Sequence, residues 1–296
     1  MEIPEISYII VTYGRKDDLL ECVKSINDNA ISKDFEIIVV DNKNEAEVEK
    51  TVSSFENVRY FALDRNLGVA GGRNFGISVA KGHYFFFIDD DAIFKTYGFD
   101  KKVLDRFKGH KEIGAVAFKI LNFRTLSPNI GELPFPRRYV NDLQDLETSV
   151  SYFVGTGHAI RRDVLDRIGL YPEDFLYGGE ELYLSYKIIR SGYSILYLPE
   201  VVVLHKKSSV RLRRSVELEY EFRNKIVINR KFLPNPYLFV NNFFLFGKFF
   251  YLSLKNRALS SFLKGALEGF RYELEPDKIG KKEIDYLKKY YGRLWY

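Results

Sequence analysis

The amino-acid sequence predicts an α/β fold with a mostly parallel β-sheet flanked by helices, followed by a helical C-terminal region. Up to residue 88, short and nearly continuous apolar runs alternate with segments whose apolar residues recur at helical spacing. Such apolar runs are typical of strands that are covered on both faces. From residue 215 onward only the helical spacing recurs.

The predicted elements of the first part follow one another in strand–helix order. The run ISYIIVT at residues 6–12 is the first strand, and YFFFI at residues 84–88 is the fourth. The other predicted elements are strands at 35–40 and 58–63 and helices at 17–29, 45–55 and 70–80. Because a parallel sheet binds ligands beyond the carboxyl ends of its strands, the residues that follow each strand are the first candidates for a site.

The middle of the chain, residues 113–154, is less regular than the part before it. Its three prolines, Pro128, Pro134 and Pro136, predict a loop that could cover a site. The elements predicted after it are helices near 161–168 and 180–191, a strand at 195–204 that ends at His205, and helices from residue 215 to the end.

The composition limits where the protein can work. A single cysteine, Cys22, excludes an intramolecular disulfide and favours a reducing compartment. The N-terminus lacks the basic and apolar regions of a signal peptide. The most apolar segment, residues 239–254, is shorter than the roughly 20 residues of a membrane span and carries Lys248. We therefore expect a cytoplasmic protein.

Charge is distributed unevenly along the chain. Residues 206–296 contain 20 basic and 9 acidic residues, whereas the preceding residues contain 25 and 31. We predict a catalytic domain at residues 1–210 and a basic, aromatic, helical region at residues 211–296. This region could lie on an anionic membrane surface at the cytoplasmic face, or it could pack on the catalytic domain or a partner chain. Nucleic-acid binding is not expected, because no recognisable module occurs and the rest of the chain is acidic.

Three adjacent carboxylates, Asp89, Asp90 and Asp91, follow the fourth predicted strand. Because they repel one another, a cation would stabilise them, and oxygen ligands of this kind suit Mg²⁺ or Mn²⁺. In an extended chain Asp89 and Asp91 point to the same side and could reach one ion. The alternative is a solvated acidic turn at the end of the strand.

Asp41 ends the second predicted strand, where its carboxylate could accept hydrogen bonds from a nucleotide base or ribose. The alternative is an Asx-turn, for which Asp41 followed by Asn42 is well suited. The segment NLGVAGGRNFG at residues 66–76 would let a ligand approach the backbone closely, with Arg73 supplying positive charge. It matches neither the dinucleotide fingerprint nor the phosphate-loop motif.

Glu180 and Glu181 begin a predicted helix directly after Gly178 and Gly179. One of them could be a general base whose pKa is raised by the adjacent carboxylate and by apolar surroundings. Alternatively, both only interact favourably with the helix dipole. His205 ends the last predicted strand and is a candidate Mn²⁺ ligand, with a purely structural histidine as the alternative.

Taken together, these segments resemble the family 2 glycosyltransferases, which are inverting enzymes with the GT-A fold. Within that family they are most similar to the rhamnosyltransferase-like branch that builds bacterial and archaeal surface glycans. The resemblance spans most of residues 6–206 in the family's order. The matching stretches are IIVTYGR (9–15), EIIVVDN (36–42), NLGVAGGRNFG (66–76), FFIDDDA (86–92), GTGHAIRRDVL (155–165), GGEELYLSYKIIRSGY (178–193) and VVVLH (201–205).

The resemblance implies a Rossmann-like GT-A domain and a role for each matching residue. The donor nucleotide would be bound by Thr12, Asp41, Arg73, Asp89 and Asp90, and a Mn²⁺ or Mg²⁺ ion by Asp89, Asp91 and His205. Glu181 corresponds to the family's catalytic base, and Glu180 to the acidic residue before it. This chain departs from the family by having glutamate instead of aspartate at position 181, and Tyr183 where the branch usually has another aspartate.

The implied reaction is a single in-line displacement that moves a sugar from a UDP- or dTDP-sugar to a glycan or a lipid-linked acceptor. The Q-x-x-R-W motif of processive members is absent from the sequence, which favours the addition of one or a few sugars. Two alternatives stay open. A sugar-1-phosphate nucleotidyltransferase would carry a glycine-rich, basic loop after the first strand, where this chain has only Tyr13, Gly14 and Arg15. A non-catalytic partner that binds sugar nucleotides would tolerate the glutamate at position 181.

Overall fold

The structure, a computed structural model, describes residues 3–207, 213–292 and 294. The predicted boundary between residues 210 and 211 lies outside the described residues. The strands are β1 (Ile6–Thr12), β2 (Phe35–Asp41), β3 (Val58–Ala62), β4 (Tyr84–Ile88), β5 (Ala92–Phe94), β6 (Ile113–Asn122), β7 (Thr148–Val150), β8 (Gly157–Arg161) and β9 (Ser194–His205). The α-helices are α1 (Lys16–Asn29), α2 (Ala46–Val52), α3 (Gly68–Val79), α4 (Phe99–Gly109), α5 (Val140–Leu143), α6 (Arg162–Ile168), α7 (Glu180–Arg190), α8 (Arg214–Phe232), α9 (Tyr237–Lys255), α10 (Leu259–Arg271) and α11 (Lys281–Lys289).

The described strands form one mixed sheet of nine strands. Its order is β3-β2-β1-β4-β8-β6-β9-β5, and β7 pairs with the first part of β9. Strands β3, β2, β1 and β4 are parallel neighbours, as are β6 and β9. Strand β8 is antiparallel to β4 and β6, and the short strands β5 and β7 are antiparallel to β9. The predicted α/β sheet flanked by helices is confirmed.

Consecutive residues of the parallel strands face opposite sides of the sheet, so each strand contributes to two hydrophobic cores. Ile9 and Val40 belong to the core that contains residues of α3, whereas Ile10 and Val39 belong to the core that contains residues of α1. Burial on both faces explains why the strands are nearly continuous apolar runs in the sequence.

Helix α3 packs close to β1 because glycines face the strand. A Cβ atom at Gly76 would lie 2.5 Å from Cγ2 of Ile9, and one at Gly72 would lie 2.7 Å from Cγ1 of Val11. Both distances are well below an ordinary carbon–carbon contact of about 3.5–4.0 Å. These two glycines therefore serve helix–sheet packing, whereas the sequence suggested that they admit a ligand to the backbone.

Residues 113–154, the less regular part of the sequence, begin with a strand that was not predicted. Strand β6 lies inside the sheet between β8 and β9, and nearly all of its residues are buried. Its register with β9 shifts twice, which indicates bulges in this pair. The predicted proline-containing loop follows β6 and carries two short 3₁₀ turns, Ile130–Glu132 and Arg137–Tyr139.

The end of β9 reaches the carboxyl edge of the parallel strands. Its last residue, His205, is paired with Ala92 of β5, and the backbone amide of Lys206 donates to the carbonyl of Asp91 over 3.0 Å. This pairing brings His205 next to the carboxylates that follow β4.

The C-terminal helices have a small core of their own, and they also pack on the sheet domain. Phe222 of α8 stacks on Phe249 of α9 and on Phe262 of α10, with ring centroids 4.9 Å apart in each pair. Phe232, at the end of α8, instead stacks on Tyr186 of α7 at 5.1 Å. Within the described part of the chain, no helix has the length and apolar character that crossing a membrane requires.

Helix α11 returns to the sheet. The hydroxyl of Tyr286 donates to the carbonyl of Val150 in β7 over 3.0 Å and accepts from the amide of Ile195 in β9 over 3.1 Å. Leu287 is buried beside it, and the amide of Asn241 in α9 donates to the carbonyl of Leu294. The end of the described chain is thus attached both to the sheet and to α9.

Candidate active site

The three carboxylates after β4 lie at the carboxyl edge of the parallel strands, but they have different surroundings. The Asp89 side chain is 32% exposed, whereas Asp90 and Asp91 are buried. Oδ1 of Asp91 lies 3.1 Å from Nε2 of His205. One potential ligand atom from each of Asp89, Asp91 and His205 lies within 4.8 Å of the others. The structure therefore brings together the three residues that the sequence suggests as metal ligands.

Arg15, directly after β1, balances the charge of the two buried carboxylates. Its Nη2 lies 2.6 Å from Oδ1 of Asp90, and its Nη1 lies 3.1 Å from Oδ2 of Asp91. The Thr12 hydroxyl also donates to Asp90 over 2.6 Å. Burial raises the pKa of Asp90 to about 7, against the opposing effects of Arg15 and Thr12. Thr12 and Asp90 thus contact each other, and their contact with a donor nucleotide stays a prediction.

Arg73, on α3, joins the exposed carboxylate to the start of α7. Its Nη2 lies 3.3 Å from Oδ1 of Asp89 and donates to the carbonyl of Gly155 over 3.0 Å. Its Nη1 donates to Oε1 of Glu181 over 3.0 Å. Because the guanidinium is buried, solvent and salt screen its charge only weakly. Arg73 therefore holds a strong positive charge between Asp89 and Glu181.

The two glutamates at the start of α7 differ in their environments. Gly178 and Gly179 have φ angles of 73° and 95°, a left-handed conformation that glycine adopts readily, and they turn the chain into the helix. The Glu181 side chain is 18% exposed and faces Arg73. Glu180 is buried, and its Oε2 has no hydrogen-bond partner among the described residues. Burial first, and the neighbouring Glu181 second, raise the pKa of Glu180 well above its usual range, which favours its neutral form.

His205 is held by a second carboxylate, Glu132, from the loop after β6. Nδ1 of His205 lies 2.7 Å from Oε2 of Glu132, while its Nε2 faces Asp91. Burial of the imidazole opposes its charge, but hydrogen bonds with Asp91 and Glu132 outweigh this effect and raise the pKa of His205 to about 10. In metal-binding histidines, the ring nitrogen that does not bind the ion is commonly held by a carboxylate, as Glu132 holds Nδ1 here.

Asp41 lies apart from this cluster, in the turn after β2. Its oxygens accept hydrogen bonds from the backbone amides of Lys43 over 2.8 Å and Glu45 over 2.9 Å, and from the Tyr60 hydroxyl over 2.8 Å. This is the Asx-type turn that the sequence offered as the alternative. The contact of Asp41 with a nucleotide base stays a prediction.

A pocket of about 530 Å³ opens beside the cluster. The predicted or newly found site residues that line it are Arg73, Asp89, Glu132, Glu180, Glu181 and His205. The other predicted site residues are also described by the structure, but they do not line this pocket. They are Thr12, Asp41, Asp90 and Asp91. Lys225 of α8 and Lys248 of α9 also line this pocket. Because Glu132 is among the lining residues, the proline-containing loop does reach the pocket, as predicted.

An edge of acidic and basic groups at the carboxyl ends of parallel strands fits an enzyme that handles a charged, nucleotide-activated substrate. A comparison with protein families identifies the kind of enzyme. The model described as glycosyl transferase family 2 matches residues 7–169, more than half of the chain. The chain belongs to glycosyltransferase family 2. Its class is therefore that of the glycosyltransferases (EC 2.4), which favours this activity over a nucleotidyltransferase.

Several curated proteins are related to this family 2 chain. An uncharacterised protein from Haemophilus influenzae is 36% identical over 177 residues, which are 56% of this chain and 92% of the relative. The O-antigen chain rhamnosyltransferase RfbN of Salmonella typhimurium is 25% identical over 215 residues, 68% of this chain and 66% of the relative. An Escherichia coli UDP-Gal:alpha-D-GlcNAc-diphosphoundecaprenol beta-1,3-galactosyltransferase is 23% identical over 223 residues, 73% of this chain and 79% of the relative. The resemblance to the rhamnosyltransferase-like branch is confirmed.

Solved glycosyltransferase structures share the fold. GalNAc-T7 with UDP, GalNAc and Mn²⁺ aligns with a TM-score of 0.63 at 17% identity, over 81% of this chain and 51% of that chain. The mannosyltransferase PcManGT from Pyrobaculum calidifontis, with GDP-Man and Mn²⁺, aligns with a TM-score of 0.59 at 18% identity, over 98% and 80% of the two chains. The predicted GT-A fold of this family 2 protein is confirmed.

Two charged residues of this family 2 site were not among the predicted ones. Arg15 follows β1, at an edge where ligands were expected, but its partner Asp90 lies 75 residues further along the chain, so the sequence did not indicate the pair. Glu132 had no local signal, because its partner His205 lies 73 residues further along the chain.

Proposed function

We propose that this family 2 protein is an inverting glycosyltransferase that moves a sugar from a nucleoside diphosphate to an acceptor hydroxyl with the help of a divalent metal ion. One observation carries the proposal: Arg73 connects the Asp89–Asp91–His205 cluster to the Glu181 carboxylate at a single pocket. A diphosphate leaving group needs positive charge, and an acceptor hydroxyl needs a base. The pocket has residues for both.

Mn²⁺ or Mg²⁺ would be held by Asp89, Asp91 and His205. Two carboxylates and one imidazole, with ligand atoms within 4.8 Å of one another, are a chemically suitable donor set, and Mn²⁺ accepts the imidazole more readily than Mg²⁺ does. Glu132 would keep the imidazole in its binding orientation. His205 would have to lose its proton first, because its raised pKa belongs to the ring without an ion. The bound ion would supply positive charge to the leaving diphosphate.

Glu181 would act as the base. It would take the proton of the acceptor hydroxyl while the oxygen forms a bond to the anomeric carbon and the bond from that carbon to the diphosphate breaks. The configuration inverts, and no bond between sugar and enzyme forms. Arg73 would position Glu181 and balance the charge of the diphosphate, while the neutral Glu180 would support Glu181 without adding negative charge.

The donor would be a UDP- or dTDP-sugar whose nucleotide lies at the carboxyl ends of β1 and β2. Thr12 and Asp41 end these two strands, and Asp90 lies beside Thr12. Asp41 would share its carboxylate between the base and the amides of the turn that it already caps. The related E. coli enzyme is named for UDP-Gal, and the GalNAc-T7 structure contains UDP and Mn²⁺, which supports a uridine nucleotide.

The acceptor would be a glycan or a lipid-linked sugar, and the enzyme would act as a peripheral protein at the cytoplasmic face of the membrane. Helices α9 and α10 expose large apolar side chains, with Phe239 and Phe243 exposed to 67% and 75%. Lys255 and Arg257 lie at the end of α9. Exposed aromatic residues next to basic ones are suited to the interface of an anionic membrane. The acceptor named for the E. coli relative is linked to diphosphoundecaprenol, which supports the same location.

Calorimetry with a panel of nucleoside diphosphates tests the metal and donor sites. In the presence of Mn²⁺ we expect UDP or dTDP to bind. With a chelator, or in the variant Asp89→Asn/Asp91→Asn, the affinity should fall by about tenfold or more, which is about 1.4 kcal/mol. Equal affinities with and without the ion would refute the metal-assisted reaction.

Glu181→Gln separates an enzyme from a protein that only binds sugar nucleotides. We expect this variant to bind the nucleotide with Mn²⁺ as the wild type does, and to lose sugar transfer by about 10²–10⁴-fold, the range for removal of a general base. Glu173→Gln, an exposed residue of the preceding loop, is the matched control and should keep full activity. Full activity in Glu181→Gln would remove Glu181 as the base.

A further inference from the structure

Two helical stripes, one on α8 and one on α9, form part of the lining of the pocket that Glu181 and His205 also line. The stripe residues are Glu221, Lys225 and Asn229 of α8 and Asn241, Leu245 and Lys248 of α9. Residues three or four positions apart lie on one face of a helix, so each helix turns one face towards the catalytic residues. One face of α8 and one face of α9 thus complete the pocket that Glu181 also lines.

Two lysines of these stripes, Lys225 and Lys248, bring positive charge to the pocket. Nζ of Lys225 lies 5.3 Å from the ring centre of the buried Phe249, and Nζ of Lys248 lies 5.9 Å from the same ring centre. The one acidic residue in the two stripes, Glu221, lies 3.8 Å from the guanidinium of Arg214, which also pairs with Glu217 at 2.8 Å. The two ammonium groups thus lie beside one aromatic ring at the edge of the pocket.

Lys248 also lines a second, open concavity of about 710 Å³. The other residues of this concavity are Phe239, Asn242, Phe243, Phe244, Phe246 and Gly247 of α9. Most of them are aromatic, and Phe243 is 75% exposed. Lys248 therefore lines both the pocket of the catalytic residues and an apolar concavity.

We propose that Lys225 and Lys248 bind the phosphate or diphosphate of an amphiphilic acceptor whose hydrocarbon chain lies on the surface formed by Phe239 and Phe243. This inference rests on the proposed glycosyltransferase function and specifies its acceptor. The base Glu181 and both lysines line one pocket, and Lys248 also lines the concavity of exposed aromatic rings, so one side chain connects the two. A sugar joined through an anionic group to a long apolar chain has chemical groups suited to the base, the lysines and the rings. A plain glycan lacks the anionic and apolar parts.

Farnesyl diphosphate tests this inference, because it has the anionic head and the apolar chain but neither a sugar nor a nucleotide. Calorimetry on the full chain is done with a chelator present, so that metal-dependent binding of a diphosphate in the donor site is suppressed. We expect farnesyl diphosphate to bind at least about tenfold more tightly than farnesol or inorganic diphosphate, because only it uses both the charged and the apolar contacts.

The variant Lys225→Gln/Lys248→Gln should bind farnesyl diphosphate about tenfold more weakly, or worse, and should bind farnesol unchanged. Phe239→Ser/Phe243→Ser should lower the affinity for farnesyl diphosphate towards that of inorganic diphosphate. Lys255→Gln/Lys282→Gln removes the same charge outside both concavities and should bind as the wild type does. Asp89→Asn/Asp91→Asn should also bind normally, so that this result does not depend on the proposed metal site.

Three outcomes would overturn the inference about the lysines: wild-type affinity in Lys225→Gln/Lys248→Gln, an equal loss in the control lysine variant, or equal affinity for inorganic and farnesyl diphosphate. The last result would indicate a site for free phosphate. Loss of binding in Asp89→Asn/Asp91→Asn would put the probe in the donor site and would overturn the inference as well.

Discussion

Replacing Gly155 by alanine disturbs the contact between Arg73 and Glu181 without removing either charge. Gly155 lies between β7 and β8, and its carbonyl accepts a hydrogen bond from Nη2 of Arg73. A Cβ atom at this position would lie 2.1 Å from Oε1 of Glu181 and 2.7 Å from Nη2 of Arg73. Both neighbours are the ends of side chains, so they can move aside while the fold is kept.

The size of the effect follows from these distances. Oε1 of Glu181 would have to retreat by more than 1 Å, from 2.1 Å to about 3.4 Å, to reach an ordinary contact with the new methyl group. A displacement of about 1 Å at a reacting group costs on the order of 10²-fold in rate, or about 2.7 kcal/mol in activation free energy. We therefore expect Gly155→Ala to lower kcat by about 100-fold.

The assay measures the release of nucleoside diphosphate during sugar transfer, together with the thermal unfolding of each variant. Gly109→Ala is the control, because a Cβ atom there would meet nothing within 4 Å. We expect both variants to unfold at nearly the wild-type temperature and only Gly155→Ala to lose activity. Wild-type kcat in a folded Gly155→Ala would refute the reasoning that Glu181 must keep its position against Arg73.

Three further predictions concern metal binding, pH and packing. Glu132→Gln should weaken Mn²⁺ binding by about 10–100-fold in calorimetry, because it loosens the orientation of the histidine, and unchanged affinity would contradict this role. Since burial raises the pKa of Asp90 to about 7, the folded state binds its proton more tightly than the unfolded state with a pKa of about 3.9. The contribution of Asp90 to the free energy of unfolding should therefore be largest below about pH 4 and fall by up to about 1.4 kcal/mol per unit as the pH rises towards 7. Urea denaturation of Asp90→Asn should lack this slope, and an equal slope would contradict the assignment. Gly72→Ala should destabilise the protein by about 1–3 kcal/mol in urea denaturation, relative to Gly109→Ala, because its methyl group would overlap Val11.

The parallel part of the sheet could be predicted because its signals are local. Strands β1 and β4 have the predicted bounds, since runs such as ISYIIVT are apolar on both faces over their whole length. Strand β6 was missed because its place depends on pairing with β8 and β9, which lie far along the chain. The short strand β5 and helix α4 were missed as well. They lie between the apolar run of β4 and the less regular segment that begins at residue 113.

The site shows the same division between local and distant information. Asp89, Asp91 and His205 could be proposed as ligands because each lies at the end of a recognisable strand. The roles of Arg15 and Glu132 could not, because their hydrogen bonds to Asp90 and His205 span 75 and 73 residues. The sequence also did not indicate that α8 and α9 complete the pocket, because helical spacing identifies an apolar face but not the surface that it will cover.

The return of α11 to the sheet has a consequence for how this protein can vary. Leu287 of α11 and Gly292 after it line the same pocket as Glu181, while Tyr286 bridges β7 and β9. The C-terminal helices are therefore part of the pocket and of the packing around the sheet. Replacing them with the helices of another protein, or cutting the chain before α11, would change one side of the pocket and remove the bridge between β7 and β9 at once. A change in the C-terminal helices is thus expected to alter the shape of the pocket and the stability of the sheet together.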